Sequence, residues 1–155
     1  MKKTILIFTF AILSGLALNS SILAQTRTPE PQIKRDPVLE ADAMKNLQAA
    51  RLYFTTKKAY RAVIMRCDEI IAANPDFSRM DEVLYLYSIS SLNLADGKGK
   101  QKIDVTKLSE DDKKRFAPAR LREDAVANLN LLIQKFPNSD FAKKAKETLK
   151  EIDKK

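Results

Sequence analysis

Histidine is absent from this 155-residue sequence. Without an imidazole the chain has no histidine-based general acid or base near neutral pH, and it cannot form a Ser-His-Asp triad. Nearly all zinc sites are excluded as well, because histidine is one of the usual zinc ligands. We therefore expect a protein that is not an enzyme, with no catalytic residues, no metal site and no cofactor.

Cysteine occurs once, at Cys67, so no internal disulfide is possible even in an oxidising compartment. Cys67 lies on the apolar stripe of a predicted helix. Reactive thiols lie in exposed, electropositive surroundings, and we therefore interpret Cys67 as a buried packing residue rather than a nucleophile.

The chain begins with a basic Met1–Lys3 segment, continues with an almost wholly apolar run, Thr4–Leu18, and reaches a small residue at Ala24. This pattern predicts a signal peptide over 1–24, cleaved after Ala24. The apolar run is shorter than the roughly 18 residues of a spanning helix. We expect a periplasmic or exported protein, with no integral membrane segment after cleavage.

The residues after the predicted cleavage point contain Pro29, Pro31 and Pro37, which predicts a flexible linker over 25–37. A lipoprotein signal requires a cysteine directly after cleavage, and that position holds Gln25. The formal net charge of the whole chain is +8 and is spread along the sequence. Such an excess favours weak binding to anionic surfaces, and for an exported protein we expect no nucleic-acid partner.

Residues 38–153 are predicted to form one helical domain, because apolar residues recur at helical spacing. Five helices are expected: Leu39–Thr55 before a tight turn at 55–58, Tyr60–Ala73, Arg79–Leu94, a helix opened by Pro118, and Asp140–Asp153. The third helix is apolar on nearly every face, which predicts burial on several sides. Capping boxes are predicted at Ser78 with Asp81 and at Ser109 with Asp112.

Residues 96–117 interrupt this pattern with many charges and two glycines, and we expect a surface insertion. Its Gly97–Lys100 stretch lacks the spacing of a phosphate-binding loop. The carboxylate pair at 81–82 and the carboxylate triplet at 110–112 lie where a helix N-terminus would stabilise them, so neither predicts catalysis or a cation site.

Two segments match at a constant offset of 62 residues, for example Val63 with Ala125, Cys67 with Leu129 and Pro75 with Pro137. Each contains an apolar helix, a proline and a second helix. The stretches Y-R-A-V-I-M-R-C-D-E-I-I-A-A-N-P-D-F and R-E-D-A-V-A-N-L-N-L-L-I-Q-K-F-P-N-S-D-F-A-K-K-A resemble tetratricopeptide repeats, and the second is similar to repeats of the outer membrane assembly lipoprotein (BamD-like) group. The resemblance implies an all-α fold, a short α-solenoid of antiparallel helix pairs.

The same resemblance implies a concave groove lined by the first helix of each pair. In that register Glu82, Tyr85, Ile89 and Asn93 face the groove and form the predicted partner-binding site. The alternative is that Tyr85 and Ile89 pack against neighbouring helices.

We therefore expect an exported envelope scaffold or adaptor that binds a protein or peptide, with a possible link to outer membrane protein assembly. The sequence is compatible with association with the outer membrane and with self-association, and it decides neither. The alternative is a structural subunit of a larger envelope complex that leaves no groove free.

Overall fold

The computed structural model describes residues 35–100 and 105–154, and these fold into six α-helices without a β-strand. The helices are α1 (Pro37–Leu52), α2 (Tyr60–Ala73), α3 (Met80–Ala95), α4 (Glu110–Arg115), α5 (Pro118–Lys135) and α6 (Asp140–Ile152). The all-α prediction is confirmed, and α4 is the helix beyond the five expected. The predicted signal peptide and the linker up to residue 34 lie outside the described residues.

The first helix begins at Pro37, which the sequence analysis assigned to the linker. Asp36 caps it, since Oδ1 accepts hydrogen bonds from the Val38 and Leu39 N–H groups at 2.8 and 3.4 Å. Proline suits the first helical position because its missing N–H has no partner there anyway.

The central helix α3 packs against α2 and α5 and also touches α1 and α6. Its apolar side chains supply much of the core, including Val83 and Leu84 at 0% and 3% exposure. Ser88, Ser90 and Ser91 are fully buried, so neighbouring helices approach closely along this part of α3. The predicted burial of α3 on several sides is confirmed.

The internal repeat appears in the backbone of the two turns that join α2 to α3 and α5 to α6. In the first turn the N–H to O hydrogen bonds run from Asn74 to Ile70, from Phe77 to Asn74 and from Met80 to Phe77, at 2.8, 3.1 and 3.1 Å. In the second they run from Phe136 to Leu132, from Ser139 to Phe136 and from Ala142 to Ser139, at 2.9, 3.0 and 3.1 Å. Every partner is displaced by the offset of 62 found in the sequence, so the structure repeats the same helix–turn–helix unit.

Two local predictions were wrong. Residues Tyr53–Lys57 form a π-helical turn rather than a tight turn, and Lys58 ends it with a left-handed backbone, φ 48°. The cap of α3 is Arg79 and contributes no side-chain hydrogen bond. The Ser78 N–H instead donates to Glu40 of α1, at 3.2 Å.

The second predicted cap is present, since Ser109 Oγ accepts a hydrogen bond from the Asp112 N–H at 3.1 Å and opens α4.

The C-terminal part of the predicted insertion is mostly exposed, but Phe116 packs it against the domain. Phe116 is 7% exposed, and the guanidinium groups of Arg61 and Arg115 lie 4.9 and 5.2 Å from the centre of its ring. Arg61 pairs with Asp112 at 3.2 Å, and Arg115 pairs with Asp68. This part of the chain lies at the surface, and one aromatic side chain and two ion pairs anchor α4 on α2.

Candidate protein-binding cleft

A cleft of about 500 Å³ lies between the C-terminal ends of α3 and α6 and the first turns of α5. We call it the α3–α6 cleft; it is lined by Ile89, Leu92, Asn93, Asp96, Lys98, Arg122, Thr148, Glu151 and Ile152. The three aliphatic side chains provide an apolar part, and the remaining side chains provide hydrogen-bonding and charged groups. Ligand clefts combine these two kinds of lining.

The end of α3 shapes one edge of this cleft. The Gly97 N–H donates to the Leu94 carbonyl at 3.0 Å, and the Lys98 N–H donates to the Asn93 carbonyl at 2.8 Å. These two bonds form a Schellman motif, which requires a left-handed residue after the helix, and Gly97 has φ +66°. The motif ends α3 and turns the chain so that Lys98 lies at the cleft.

An ion-pair network crosses the same edge. Asp96 accepts a hydrogen bond from Arg122 Nη2 at 2.7 Å through Oδ1 and pairs with Lys98 Nζ at 3.1 Å through Oδ2. The hydrogen bond from Arg122, followed by that from Lys98, lowers the pKa of Asp96 below its usual value. Asp96 is therefore ionised at neutral pH, and it ties the ends of α3 and α5 together.

A family model described as YfiO, outer membrane lipoprotein, matches residues 37–155. The chain belongs to this family. No curated protein and no solved structure matches the sequence. Family membership confirms the resemblance found in the repeats and identifies the chain as an envelope protein related to outer membrane assembly.

The four predicted groove residues of this YfiO-family chain do not lie together. Ile89 and Asn93 line the α3–α6 cleft and are partly exposed. Glu82 and Tyr85, nearer the start of α3, are engaged by other helices and do not line the cleft.

Glu82 is held inside an ion-pair cluster, and its side chain is only 9% exposed. Arg51 of α1 donates to its two carboxylate oxygens at 2.5 and 2.6 Å, and Arg79 donates at 2.7 Å. Burial acts to raise the pKa of Glu82, but the hydrogen bonds and charges of the two arginines outweigh it and lower the pKa. Glu82 thus joins α1 to α3, and its placement in an open groove was wrong.

Tyr85 is covered by α6. Its ring centre is 5.4 Å from that of Phe141, and the Lys144 ammonium lies 5.9 Å from the Tyr85 ring. Burial is the largest cause of the raised pKa of Tyr85. The alternative of packing against a neighbouring helix therefore describes Tyr85, whereas Ile89, one turn further along α3, reaches the cleft.

The sequence analysis missed most of the cleft, including Arg122 of α5 and Thr148 and Ile152 of α6. These residues are far apart in the sequence, and only the antiparallel packing of α3, α5 and α6 brings their ends together. A partial signal was present, because Asp96 and Gly97 mark the end of α3 where the cleft opens.

No arrangement of catalytic groups stands out in the described ranges. Cys67 is fully buried, and burial is the largest cause of the raised pKa of its thiol, which disfavours the nucleophilic thiolate. Asp81 accepts hydrogen bonds from the Glu82 N–H and from the Ser139 hydroxyl, at 2.8 and 2.6 Å, so it serves the α3–α6 contact. Within residues 35–100 and 105–154, no group of three His, Cys, Asp or Glu side chains is arranged to hold a metal ion.

None of the helices in the described part of the chain is long and apolar enough to cross a membrane.

Proposed function

We propose that this chain is an exported scaffold or adaptor of outer membrane assembly that binds a segment of another envelope protein in the α3–α6 cleft. The family match supports the process, and the α3–α6 cleft supports the mode of binding. Export would use the signal peptide over 1–24.

The composition of the cleft favours a short protein segment over a small polar molecule. Ile89, Leu92 and Ile152 offer apolar contact for one or two side chains of the segment, and burial of apolar area supplies most of the binding free energy in such sites. Asn93 and Thr148 add side-chain donors and acceptors that can fix the orientation of a peptide backbone.

The charges around the cleft influence which segment binds. The carboxylate of Asp96 is already paired with Arg122 and Lys98, and Glu151 is exposed at the opposite side on α6. A bound segment therefore meets cations on one side and a carboxylate on the other. This asymmetry favours one direction of binding, since complementary charges contribute more to specificity than to affinity.

The test is photocrosslinking in envelope fractions with a photoreactive amino acid at Asn93. Capture of outer membrane assembly components from Asn93, and not from the exposed Gln48 on α1, is the expected result. Ile89→Asp should reduce this capture at least tenfold, because a carboxylate replaces apolar contact area. Met65→Asp is the matched control, since Met65 is an exposed apolar residue outside the cleft, at 46% exposure.

Equal capture from Asn93 and Gln48, or equal losses in the two aspartate variants, would contradict binding in the α3–α6 cleft. The alternative function is a structural subunit with no free groove. It predicts that Asn93 crosslinks to the same subunit in every preparation and that the isolated chain self-associates or aggregates. Sedimentation of the purified chain separates that alternative from a soluble adaptor.

A further inference from the structure

Four lysines lie at the end of the helical stack where α1 passes into α2. Lys57 and Lys58 belong to the π-helical turn and its end, and Lys98 and Lys100 follow α3. The Lys100 N–H donates to the Lys58 carbonyl at 3.1 Å, so the two segments are in direct contact. We call these four residues the lysine cluster.

Gly99 makes this contact possible. A Cβ at this position would lie 2.7 Å from the Lys58 carbonyl oxygen and 2.9 Å from the Tyr60 ring, and the backbone has φ +111°. Both the lack of space and the backbone conformation require glycine. The cluster is therefore built by the fold from two segments that are distant in the sequence.

Among the residues that the structure describes, the cations of this cluster are largely uncompensated. Lys57 and Lys100 line an open cleft of about 620 Å³ together with Tyr53, Thr56 and Ala59, and none of these described lining residues carries a carboxylate. Lys98 pairs with Asp96 at 3.1 Å. Lys57, Lys58 and Lys100 form no ion pair with any residue in 35–100 or 105–154.

The chemistry of the cluster favours a phospholipid surface over an acidic protein. Lysine is a flexible point charge that suits headgroup phosphates in many orientations, whereas planar, bidentate pairing with a carboxylate favours arginine. Arginines nearby, such as Arg51 and Arg61, are already engaged with carboxylates of this chain. In the chain, Leu52 directly precedes the π-helical turn and is 50% exposed. An exposed apolar side chain on the same connection as several cations is typical of peripheral membrane surfaces.

We propose that the lysine cluster docks the helical domain on an anionic phospholipid bilayer, with Leu52 entering the interfacial layer. This surface is distinct from the α3–α6 cleft apart from Lys98 at their shared border. Docking through the cluster would orient the stack with the α1–α2 connection against the membrane.

The test is co-sedimentation of the exported, processed chain with vesicles of phosphatidylcholine, with and without phosphatidylglycerol. We expect binding to the anionic vesicles only, falling as salt is raised. The triple variant K57Q/K58Q/K100Q should partition about a hundredfold less, as expected from about 1 kcal/mol for each lysine near an anionic surface. The control K45Q/K135Q/K146Q removes the same net charge away from the cluster and should partition nearly as the native chain does.

Gly99→Ala provides a second test that leaves every charge in place. The added Cβ should push Lys100 away from Lys58 and reduce the partition severalfold, with circular dichroism confirming that the helices remain. Three outcomes would overturn the proposal. The chain could bind neutral and anionic vesicles equally, or the two triple variants could lose binding equally. The chain could also bind an acidic peptide or inorganic phosphate but no vesicles. Ile89→Asp should leave vesicle binding unchanged. A failure of the membrane-docking proposal is therefore distinguishable from a failure of the proposed protein binding in the α3–α6 cleft.

Discussion

The two turns of the repeat share one backbone geometry but are stabilised in different ways. In the α2–α3 turn, Glu40 of α1 accepts hydrogen bonds from the Asn74 side-chain amide at 3.1 Å and from the Ser78 N–H at 3.2 Å. In the α5–α6 turn, Ser139 caps its own helix by accepting from the Phe141 N–H at 3.1 Å.

Side chains at equivalent repeat positions also differ, being buried in the inner unit and exposed or capping in the final unit. Phe77 is 2% exposed in the core, whereas its equivalent, Ser139, is a helix cap. Glu82 is buried between two arginines, whereas its equivalent, Lys144, is exposed on the last helix. The comparison teaches that the inner turn depends on a carboxylate of the neighbouring helix α1. The final turn combines a cap within its own helix with a hydrogen bond from the Ser139 hydroxyl to Asp81 of α3, and its helix presents a polar outer face, as a terminal repeat must.

The largest expected effect comes from removing the buried aromatic side chain of the inner turn. Phe77→Ala should lower the free energy of unfolding by about 3–4 kcal/mol, because it leaves a cavity in the core. Urea denaturation measures this change. If Phe77→Ala costs no more than Ser139→Ala, the inner turn does not depend on burial and the comparison fails.

The next effect concerns the ion-pair cluster between α1 and α3. Glu82→Gln should lower the free energy of unfolding by about 2 kcal/mol, because hydrogen bonds to a charged group are lost. Lys144→Gln, at the equivalent exposed position, should change it by less than about 0.5 kcal/mol. Similar losses in the two variants would show that the two repeat positions are equivalent after all.

Acidic pH should remove the difference between native and Glu82→Gln chains. The folded-state pKa of Glu82 is lowered, so its contribution is complete above the usual carboxyl pKa of 4.5 and is lost as the pH falls through the folded-state value. The measurement is urea denaturation of both chains as the pH is lowered. A difference in the free energy of unfolding that persists at pH values well below the folded-state pKa of Glu82 would contradict this account.

The smallest effect concerns the cap of the final unit. Ser139→Ala should lower the free energy of unfolding by about 1 kcal/mol, the usual effect of losing a side-chain cap. Ser139→Thr should retain most of the native stability, because the hydroxyl remains. If Thr and Ala lower stability equally, neither hydrogen bond of the Ser139 hydroxyl, the one from the Phe141 N–H or the one to Asp81 of α3, is the cause.

Sequence reasoning succeeded wherever local pattern decides structure. Helical spacing of apolar residues located the main helices, the offset of 62 identified the repeat, and Ser109 was recognised as a cap. It failed at Ser78, because the Ser78 N–H is satisfied by Glu40, a residue on another helix. It also failed at Phe116, since a single aromatic residue in a charged segment carries no periodic signal.

The four residues of the predicted groove differ in what surrounds them. Ile89 and Asn93 were named from the repeat register, and the structure places both in the α3–α6 cleft. Glu82 and Tyr85 share that register, but Arg51 and Phe141 from neighbouring helices occupy the space beside them. Periodicity predicts which face of a helix a residue lies on, not what packs against that face.

The sequence by itself determined the helical class, the repeated unit and the family to which the chain belongs, because these depend on the spacing of apolar residues and on the residues in the turns. Only the tertiary structure decided which part of α3 stays open, how Gly99 brings Lys100 onto Lys58, and where Phe116 anchors the insertion. The physical reason is that burial and charge pairing between segments distant in the sequence depend on how the helices pack, and no local pattern records that packing.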